Sequence, residues 1–469
     1  MIPVSCAQIA AAVGGELVGV DPAAVVDAGV EIDSRKITAG GLFVAFAGQN
    51  VDGHEYVPAV TAAGATVSIT TRPVEGSPCI VVADAQQAIG ELAKLVISQL
   101  PELTVIGLTG SQGKTSTKDL IAQLLAPYGP TVAAVGSQNN EIGHPLTALK
   151  ADLATRYLVA EMGARHVGDI TYLCRITPPK VGLVLNVGHS HIGEFGSQDA
   201  IAVAKGEMIE AVLPGGTAIL NADDPRVAAM ASRTAESVVL WGDAPEATVR
   251  ATEVELDTLG RAGFTLHLGG EEHAVQLQTV GEHQVANALA AAAAVQAVGL
   301  TPAQIAEGLS TATAASKWRM EVHERPDGVT IINDAYNANP ESVRAALKAL
   351  AAIGRARMAQ TGTGRTWAVL GPMGELGDSH IEEHDAIGRL VVRLDIQRLL
   401  VIGEGARSIH LGASLEGSWG NESAYVDSMD EALELLRKEL QQGDVVLVKA
   451  SRFVGLDRLA TALLEEASQ

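Results

Sequence analysis

The sequence predicts an α/β protein of three domains built on parallel sheets. Short apolar runs of strand length alternate with helix-like stretches along all 469 residues, which is typical of βαβ units. A chain of this length is also expected to form two to four domains. Hydrophobic residues make up 47% of the chain and aromatic residues only 3%, so we expect cores rich in alanine, valine and leucine. We place the domains at 1–101, 102–315 and 316–469.

The first domain is predicted to consist of short strands and helices. It ends with a helix over Ala85–Gln99 and then Pro101, because proline does not continue a helix. The central domain starts at Leu103, and its strands alternate with helices, so we predict a doubly wound parallel sheet with ligands at the carboxyl ends of its strands. The predicted strands are Thr104–Leu108, Tyr157–Glu161, Val181–Val187, Ala218–Asn221 and Val238–Trp241.

Two further segments complete the central domain. Residues 249–278 alternate in polarity like hairpin strands, and Ala286–Leu300 reads as a buried, alanine-rich helix. That helix is too short and too polar to span a bilayer.

The third domain is predicted to be Rossmann-like, with strands again alternating with helices. These strands are Thr330–Ile332, Trp367–Leu370, Leu399–Ile402 and Val445–Val448. We interpret residues 359–365 as a surface loop. Residues 403–408 (GEGARS) are interpreted as a strand–helix turn and not as a dinucleotide-binding fingerprint, because the third glycine and a ribose-binding acid are missing.

The net charge and the cysteine content indicate which partners and which compartment to expect. The net charge is −22, from 33 Lys and Arg against 55 Asp and Glu, and such a field repels nucleic acid and anionic membranes. Three widely spaced cysteines argue against a disulfide framework, and the N-terminus lacks the basic region of a signal peptide. We therefore expect a cytoplasmic monomer with no nucleic-acid partner and no membrane insertion.

The segment directly after the strand Thr104–Leu108 predicts a phosphate-binding loop. It reads Thr109-Gly110-Ser111-Gln112-Gly113-Lys114-Thr115-Ser116. Small residues let backbone N–H groups approach phosphates, while the lysine reaches the outer phosphates and the threonine hydroxyl binds Mg²⁺. Leu108 stands where the standard pattern has its first glycine, so the loop is a shortened variant. The alternative is a tight strand–helix turn whose Lys114 and Thr115 face water, but the sequence favours ATP and Mg²⁺ as ligands.

Other potential ligands follow the neighbouring strands. Glu161 ends one strand, His189 and His191 follow the next, and Lys205 is predicted on or near a helix start. Each alone is explained as well by a solvated or capping role. Because the carboxyl ends of parallel strands meet at one edge, we predict a magnesium site there, with Glu161 and Thr115 as oxygen ligands.

The third domain contributes a polar segment, residues 333–340 (NDAYNANP), after a predicted strand. Asparagine, aspartate and proline favour turns and helix N-caps. The same side chains could also present hydrogen-bonding groups to a ribose or a peptide, and the sequence leaves both interpretations open.

Together these motifs resemble the Mur ligase family over essentially the whole chain. The pattern is most similar to that of the members that add D-alanyl-D-alanine to UDP-N-acetylmuramoyl-tripeptide. The segments that carry the resemblance are Asp33-Ser34-Arg35, residues 42–48 and 52–54, the shortened phosphate loop, residues 139–143 and 161–164, Tyr336–Pro340, and Gly374–Gly377 with His384.

The resemblance implies a UDP-binding first domain and an ATP-dependent amide ligase that acts through an acyl phosphate. It implies UDP-substrate contacts from Ser34, Arg35, Gly48, Asp52, His54, Asn139 and Asn140. It implies ATP contacts from residues 109–116, Asn287, Arg319, Asp334, Tyr336 and Asn337. The implied catalytic residues are Lys114, Glu161, His191, Lys205 and Arg319, and the implied Mg²⁺ ligands are Thr115, Glu161, His191 and a carbamylated Lys205. We also expect the third domain to close on the central one and bring Arg319 to the phosphates.

Four positions depart from the family pattern. Gln284 replaces an asparagine, Trp318 and Ala450 replace glycines, and Pro372 replaces an acidic residue. The alternatives within the enzyme class are another Mur-type ligase or a folylpolyglutamate-type ligase. A nucleotide-gated binding protein, which is a different class, and a nicotinamide dehydrogenase, which is the weakest alternative, also remain open.

Overall fold

The computed structural model describes residues 1–48, 51–190, 192–417 and 422–465. It confirms the predicted class: three α/β domains, each with its own sheet. The domain limits at 101 and 315 remain predictions. No helix in the described parts of the chain is long and apolar enough to cross a membrane.

The first domain contains a five-stranded sheet of order β2-β7-β6-β5-β4 and a two-stranded sheet of β1 and β3. Strands β4 to β7 pair in parallel, and β2 is an antiparallel edge strand. The strands are β1 Val4–Ser5, β2 Glu16–Val18, β3 Val25–Val26, β4 Val30–Glu31, β5 Leu42–Val44, β6 Val67–Thr70 and β7 Cys79–Val81. The helices are α1 Cys6–Val13, α2 Val57–Ala62 and α3 Ala85–Ser98.

The central domain holds a six-stranded parallel sheet of order β13-β12-β11-β8-β10-β9. Its strands are β8 Thr104–Thr109, β9 Thr131–Ala133, β10 Tyr157–Glu161, β11 Val181–Val184, β12 Thr217–Asn221 and β13 Ser237–Trp241. Its helices are α4 Lys114–Leu125, α5 Gly143–Ala148, α6 Asp169–Ile176, α7 Ile192–Phe195, α8 Gln198–Glu210, α9 Pro225–Ala228, α10 His283–Ala297 and α11 Pro302–Thr311. A three-stranded antiparallel sheet precedes α10, namely β14 Arg250–Leu256, β15 Arg261–Leu268 and β16 Glu271–Val280.

The third domain has a six-stranded sheet of order β17-β18-β22-β19-β20-β21, parallel except for the edge strand β17. Its strands are β17 Glu321–Glu324, β18 Thr330–Asn333, β19 Thr366–Leu370, β20 Arg398–Ile402, β21 Ser423–Val426 and β22 Val445–Lys449. Its helices are α12 Pro340–Thr361, α13 His380–Arg393, α14 Arg407–Glu416, α15 Met429–Glu439 and α16 Asp457–Glu465.

Several predicted boundaries were wrong. Strand β11 ends at Val184, three residues early, because Asn186 leaves the sheet to bond the phosphate loop. The first three residues of the predicted loop 359–365 form the last turn of α12, which ends at Gly362 in a left-handed cap (φ 70°). The alanine-rich helix lies three residues earlier than predicted.

The register of the central sheet brings three strand ends together. Glu161, the last residue of β10, lies opposite Leu108 of β8, and Val184, the last residue of β11, lies opposite Thr109. Strand β8 therefore delivers the phosphate loop between the ends of its two neighbours, which is where ligands bind in parallel sheets.

Candidate active site

A cleft with a volume of about 220 Å³ lies between the carboxyl edge of the central sheet and the third domain. We call it the phosphate cleft. It joins residues that the sequence had predicted separately, from the phosphate loop, the end of β10 and the third domain. Its lining residues are Ser111, Gln112, Gly113, Lys114, Thr115, Ser116, Ser137, Asn139, Glu161, Arg319, Tyr336, Asn337, Asn339 and Ser342.

The phosphate loop is shaped by Asn186. Its side-chain oxygen Oδ1 accepts hydrogen bonds from the backbone N–H groups of Ser111 and Gln112, at 2.9 Å each. Gly113 then turns the chain into α4 with φ at +80°, a conformation that favours glycine. Asn186 occupies two loop amides, so the N–H groups left to bind an anion include those of Gly113 and of the first turn of α4, where the helix dipole also favours negative charge.

Lys114 begins α4 and folds back over the loop. Its Nζ donates to the carbonyl of Gly110 at 2.7 Å. Desolvation lowers the Lys114 pKa, Glu161 opposes that shift and Arg319 adds to it. An ammonium group has three donors, so two remain for a ligand in the cleft.

Glu161 is almost fully buried, and its two oxygens differ. Oε1 accepts from Ser137 Oγ at 2.9 Å and from Asn139 Nδ2 at 2.6 Å, whereas Oε2 is buried and has no hydrogen-bond partner in the described part of the chain. An unpaired buried carboxylate oxygen is costly. Because hard cations take oxygen ligands, the site fits Mg²⁺.

Lys118 holds the loop that supports Glu161. Its buried Nζ donates to the carbonyls of Ala134 and Gly136 and pairs with Asp119 at 2.8 Å. The loop that precedes Ser137 is thereby tied to α4. Lys118 is a positioning residue that the sequence analysis missed, although a lysine one helical turn after Lys114 was a visible signal.

Lys205 lies in the middle of α8, and the prediction that it stands on or near a helix start was wrong. It is 4% exposed. Burial lowers its pKa well below the ordinary value, and repulsion from Lys114 lowers it further. Its Nζ forms no hydrogen bond or ion pair with the described residues, so the site favours a neutral amine, which is the form that reacts with CO₂.

The two predicted histidines have different outcomes. His191 lies outside the described residues. His189 bonds the third domain, since its Nδ1 lies 2.7 Å from Oε1 of Glu341 in the first turn of α12. Across residues 1–48, 51–190, 192–417 and 422–465, no group of three or more His, Cys, Asp or Glu side chains is arranged to hold a metal ion.

Arg319 reaches the phosphate loop from the start of the third domain. Its Nη2 donates to Thr115 Oγ1 at 3.1 Å, and its guanidinium lies 4.1 Å from the centre of the Tyr336 ring. The structure thus brings together four residues to which the resemblance assigned nucleotide or metal roles: Lys114, Thr115, Arg319 and Tyr336.

Asp334 is already fully engaged. Its Oδ1 accepts from the Met320 N–H at 3.1 Å, and its Oδ2 pairs with buried Lys449 Nζ at 2.5 Å. Burial lowers the Lys449 pKa, while the nearby Asp334 charge opposes that shift. Asp334 therefore holds the backbone at Met320 directly, and Lys449 holds the Asn337 carbonyl beside it. Asn339 caps α12 through Ser342, so the N-cap interpretation of this segment is confirmed.

Asn287 is positioned on α10 beside the loop. Its Nδ2 donates to Gln284 Oε1 at 2.8 Å, and its Oδ1 accepts from Thr117 Oγ1 at 3.3 Å. Gln284, which replaces the family's asparagine, therefore orients Asn287. A small crevice adjoins this pair and is lined by Ser116, Gln284, Arg319 and residues 313–316, among others.

The predicted UDP-binding residues of the first domain form a separate group. His54 is buried; its Nδ1 lies 2.6 Å from Asp52 Oδ1, and its Nε2 accepts from the Thr71 N–H at 2.9 Å. Arg72 pairs with the other Asp52 oxygen. His54 therefore orients Asp52 and has no ring nitrogen left for a ligand. Arg35 is exposed and pairs with Asp33 at 2.8 Å.

The remaining predicted UDP-substrate residues behave differently from one another. Gly48 donates its N–H to the Val51 carbonyl at 3.0 Å, within the same loop as Asp52. Asn140 caps the start of α5 through Gly143 at 2.9 Å. Asn139, by contrast, is placed in the phosphate cleft against Glu161.

Besides Lys118, the sequence analysis missed three functional positions: Asn186, Ser137 and Glu341. Asn186 gave a signal, since it is a lone amide inside an apolar run. Ser137 and Glu341 gave none, because their roles depend on loops that meet only in the folded chain.

Comparison with known proteins follows the same three-part division. Family models match residues 28–100 (Mur ligase family, catalytic domain), 108–295 (Mur ligase middle domain) and 318–452 (Mur ligase, glutamate ligase domain). The chain is 48% identical to a UDP-N-acetylmuramoyl-tripeptide--D-alanyl-D-alanine ligase of Mycobacterium tuberculosis, covering 99% of this chain and 98% of that one. It is 34% identical to the Escherichia coli ligase of the same name, with 100% of both chains covered.

Solved structures of ligases named MurF are also similar to this chain over nearly its whole length. MurF from Acinetobacter baumannii is similar with a TM-score of 0.87 and 34% identity, over 99% of both chains. MurF from Thermotoga maritima in complex with ADP gives a TM-score of 0.81 and 27% identity, over 94% of this chain and 98% of that one.

Proposed function

The chain belongs to the Mur ligase family, and from that premise we propose that it joins D-alanyl-D-alanine to UDP-N-acetylmuramoyl-tripeptide with ATP. The product is the pentapeptide precursor used in peptidoglycan synthesis. Full-length identity of 48% to a ligase named for this reaction supports the assignment. The structural observation that carries it is the contact of Arg319 with Thr115, because it places a third-domain cation at the phosphate loop.

The chemistry requires activation of a carboxylate, because oxide is a very poor leaving group. Transfer of the γ-phosphoryl group from ATP to a carboxylate oxygen gives an acyl phosphate and ADP. The dipeptide amine then attacks the carbonyl carbon, loses a proton, and phosphate leaves as the amide forms. Such transfers need positioning and charge neutralisation more than covalent help, which fits Lys114 and Arg319 on either side of the cleft.

For Mg²⁺ we propose Thr115, Glu161, His191 and a carbamylated Lys205 as the ligand set. The unpartnered Glu161 Oε2 and the partnerless, pKa-lowered Lys205 support it. The metal would neutralise phosphate charge in the cleft. Carbamylation consumes the neutral amine and CO₂ and releases a proton, which turns Lys205 into an anionic oxygen ligand.

We further propose that Asn287 and Gln284 contact the adenine. Arg35, Ser34 and the Asp52 loop would bind the UDP moiety, with Asn140 and Asn139 nearer the peptide. The charge of −22 supports a cytoplasmic monomer without nucleic-acid or membrane partners.

The experiment is a coupled phosphate-release assay in which ATP, UDP-tripeptide and dipeptide are omitted in turn, with mass spectrometry of the product. We expect phosphate release only with all three, together with one new amide bond. ATP turnover without the dipeptide would instead indicate a nucleotide switch. Activity with glutamate or a single amino acid in place of the dipeptide would indicate another ligase of the family or a folylpolyglutamate-type enzyme.

A further inference from the structure

A second cavity, with a volume of about 520 Å³, adjoins the phosphate cleft. We call it the side cavity. The two cavities share Ser111, Lys114, Tyr336, Asn337 and Asn339 as lining residues. A nucleophile in the side cavity can therefore reach an acyl group activated beside Lys114.

The outer walls of the side cavity carry two arginines. Arg165, from the central domain, donates from Nη2 to Glu375 Oε1 at 3.3 Å within the cavity wall. Arg452, from the third domain, donates from Nη1 to Asp457 Oδ1 at 3.1 Å. The Nε and Nη2 groups of Arg452 donate to none of the described residues, so one edge of its guanidinium is available. That edge has the fork geometry that binds a carboxylate through two hydrogen bonds.

The available edge of Arg452 is held in place by Trp318. The guanidinium carbon of Arg452 lies 4.2 Å from the centre of the Trp318 ring, and such stacking leaves the in-plane donors free. The Trp318 backbone has φ at +59°, a left-handed conformation that residues with a side chain rarely adopt. Its N–H donates to Glu321 Oε2 at 3.0 Å, and its carbonyl accepts from the Tyr336 N–H at 3.3 Å.

The contacts of Trp318 also affect the position of Arg319. Trp318 immediately precedes Arg319, which bonds Thr115 in the phosphate cleft. Residues 318–320 therefore position both Arg452 in the wall of the side cavity and Arg319 at the phosphate loop. Two residues of this segment, Trp318 and Met320, have the positive φ that side chains disfavour.

We propose that Arg452 binds the terminal carboxylate of the incoming dipeptide and that Trp318 is a positioning residue that holds Arg452 for this purpose. The inference rests on the function proposed above. A dipeptide carries its amine and its carboxylate at opposite ends, at most about 7 Å apart when extended. With the amine directed to the acyl group near Lys114, the carboxylate falls toward the outer wall, where Arg452 lies and exposed Phe453 provides apolar surface for the alanyl methyl groups.

The test compares D-alanyl-D-alanine with its C-terminal amide as acceptor, at saturating ATP and UDP-tripeptide. We expect the unmodified enzyme to prefer the acid, and Arg452→Gln to raise KM for the acid about 10- to 100-fold while changing the amide little, since the lost bond is charge-assisted. Arg458→Gln is the matched control, because Arg458 lies outside the cavity on α16. An unchanged acid preference in Arg452→Gln would overturn the proposal.

Trp318 is tested with three substitutions. Trp318→Phe keeps an aromatic face, and we expect a dipeptide KM near that of the unmodified enzyme. Trp318→Leu removes the face and should raise the dipeptide KM about 3- to 10-fold, with KM for ATP unchanged. Trp318→Gly also removes it but relieves the backbone strain. An equal rise in both KM values, or no rise in the Leu and Gly variants, would overturn the positioning role.

The two proposals fail in different ways. If the unmodified enzyme forms no amide with the dipeptide, the proposed function is wrong. If it forms the amide but Arg452→Gln keeps the acid preference, only the carboxylate site is wrong.

Discussion

The two sides of the phosphate cleft treat buried charge differently. On the central side, neither buried Lys205 Nζ nor Glu161 Oε2 has a hydrogen-bond partner among the residues that the structure describes. On the third-domain side, Lys449 is just as buried but pairs with Asp334 and also donates to the Asn337 carbonyl. The two buried groups of the central side are therefore incomplete as they stand, whereas the Lys449–Asp334 pair of the third domain is satisfied within the chain.

The difference indicates a division of labour. Unsatisfied buried groups are costly, and they persist where a ligand completes them, so the central side is suited to bind phosphate and metal. A satisfied network keeps its shape without ligand. The Lys449–Asp334 pair can accordingly hold the segment that carries Arg319, because Asp334 accepts from the N–H of the next residue, Met320.

The largest expected effect tests the central side. Lys114→Ala should lower the ligation rate by at least about 10³-fold, because it removes the cation that neutralises the transferred phosphoryl group. Binding of the UDP-substrate should change little, since its predicted site lies in the first domain. Steady-state kinetics and calorimetry with the UDP-substrate measure the two quantities, and exposed Lys94→Ala is the control. A large loss of UDP-substrate binding would contradict this layout.

The next effect tests whether the third-domain side is a structural network. Lys449→Met leaves Asp334 buried without its counter-charge, and we expect the free energy of unfolding to fall by about 3–5 kcal/mol. Adding Asp334→Asn should recover much of that loss, because no unpaired charge then remains. Chemical denaturation of the single and double variants gives the coupling energy. Independent, additive losses would show that the pair does not stabilise the domain.

A smaller loss of activity, and its rescue by carboxylic acids, should distinguish Lys205 from Lys449. Lys205→Ala should lower ligation about 10²-fold, and short-chain carboxylic acids should restore part of it by supplying the missing oxygen ligand. Lys449→Met should show no such recovery. A folded Lys205→Ala protein that no carboxylic acid rescues would leave carbamylation unsupported.

The sequence predicted the central side of the cleft but not the contacts of the third-domain side. The structure places the phosphate loop and Glu161 at adjacent strand ends, where strand periodicity had predicted them. The ion pair of Asp334 with Lys449 and the stacking of Arg452 on Trp318 join residues more than a hundred positions apart. No local sequence pattern predicts such pairs. The helix boundaries at 359–361 and around Lys205 were misjudged, because α12 continues through Thr361 and α8 already begins at Gln198.

The smallest effect concerns His384, which supports the third-domain wall of the side cavity. The ring is buried, its Nε2 accepts from the Met373 N–H at 2.9 Å, and its Nδ1 lies 2.6 Å from the His380 carbonyl. Burial lowers its pKa to about 4 from the ordinary 6.5.

Because this pKa is depressed in the folded protein, the unfolded chain binds more protons between pH 6.5 and 4, and the contribution of neutral His384 to stability is lost as the pH falls through that window. We expect the unmodified protein to lose about 1–2 kcal/mol more than His384→Gln between pH 7 and pH 5. Glutamine keeps an acceptor for the Met373 N–H and does not titrate, and the histidines other than His380, which stacks on His384, contribute equally to both proteins. Urea unfolding at the two pH values measures the difference, and parallel losses would mean that the wall does not depend on a neutral imidazole.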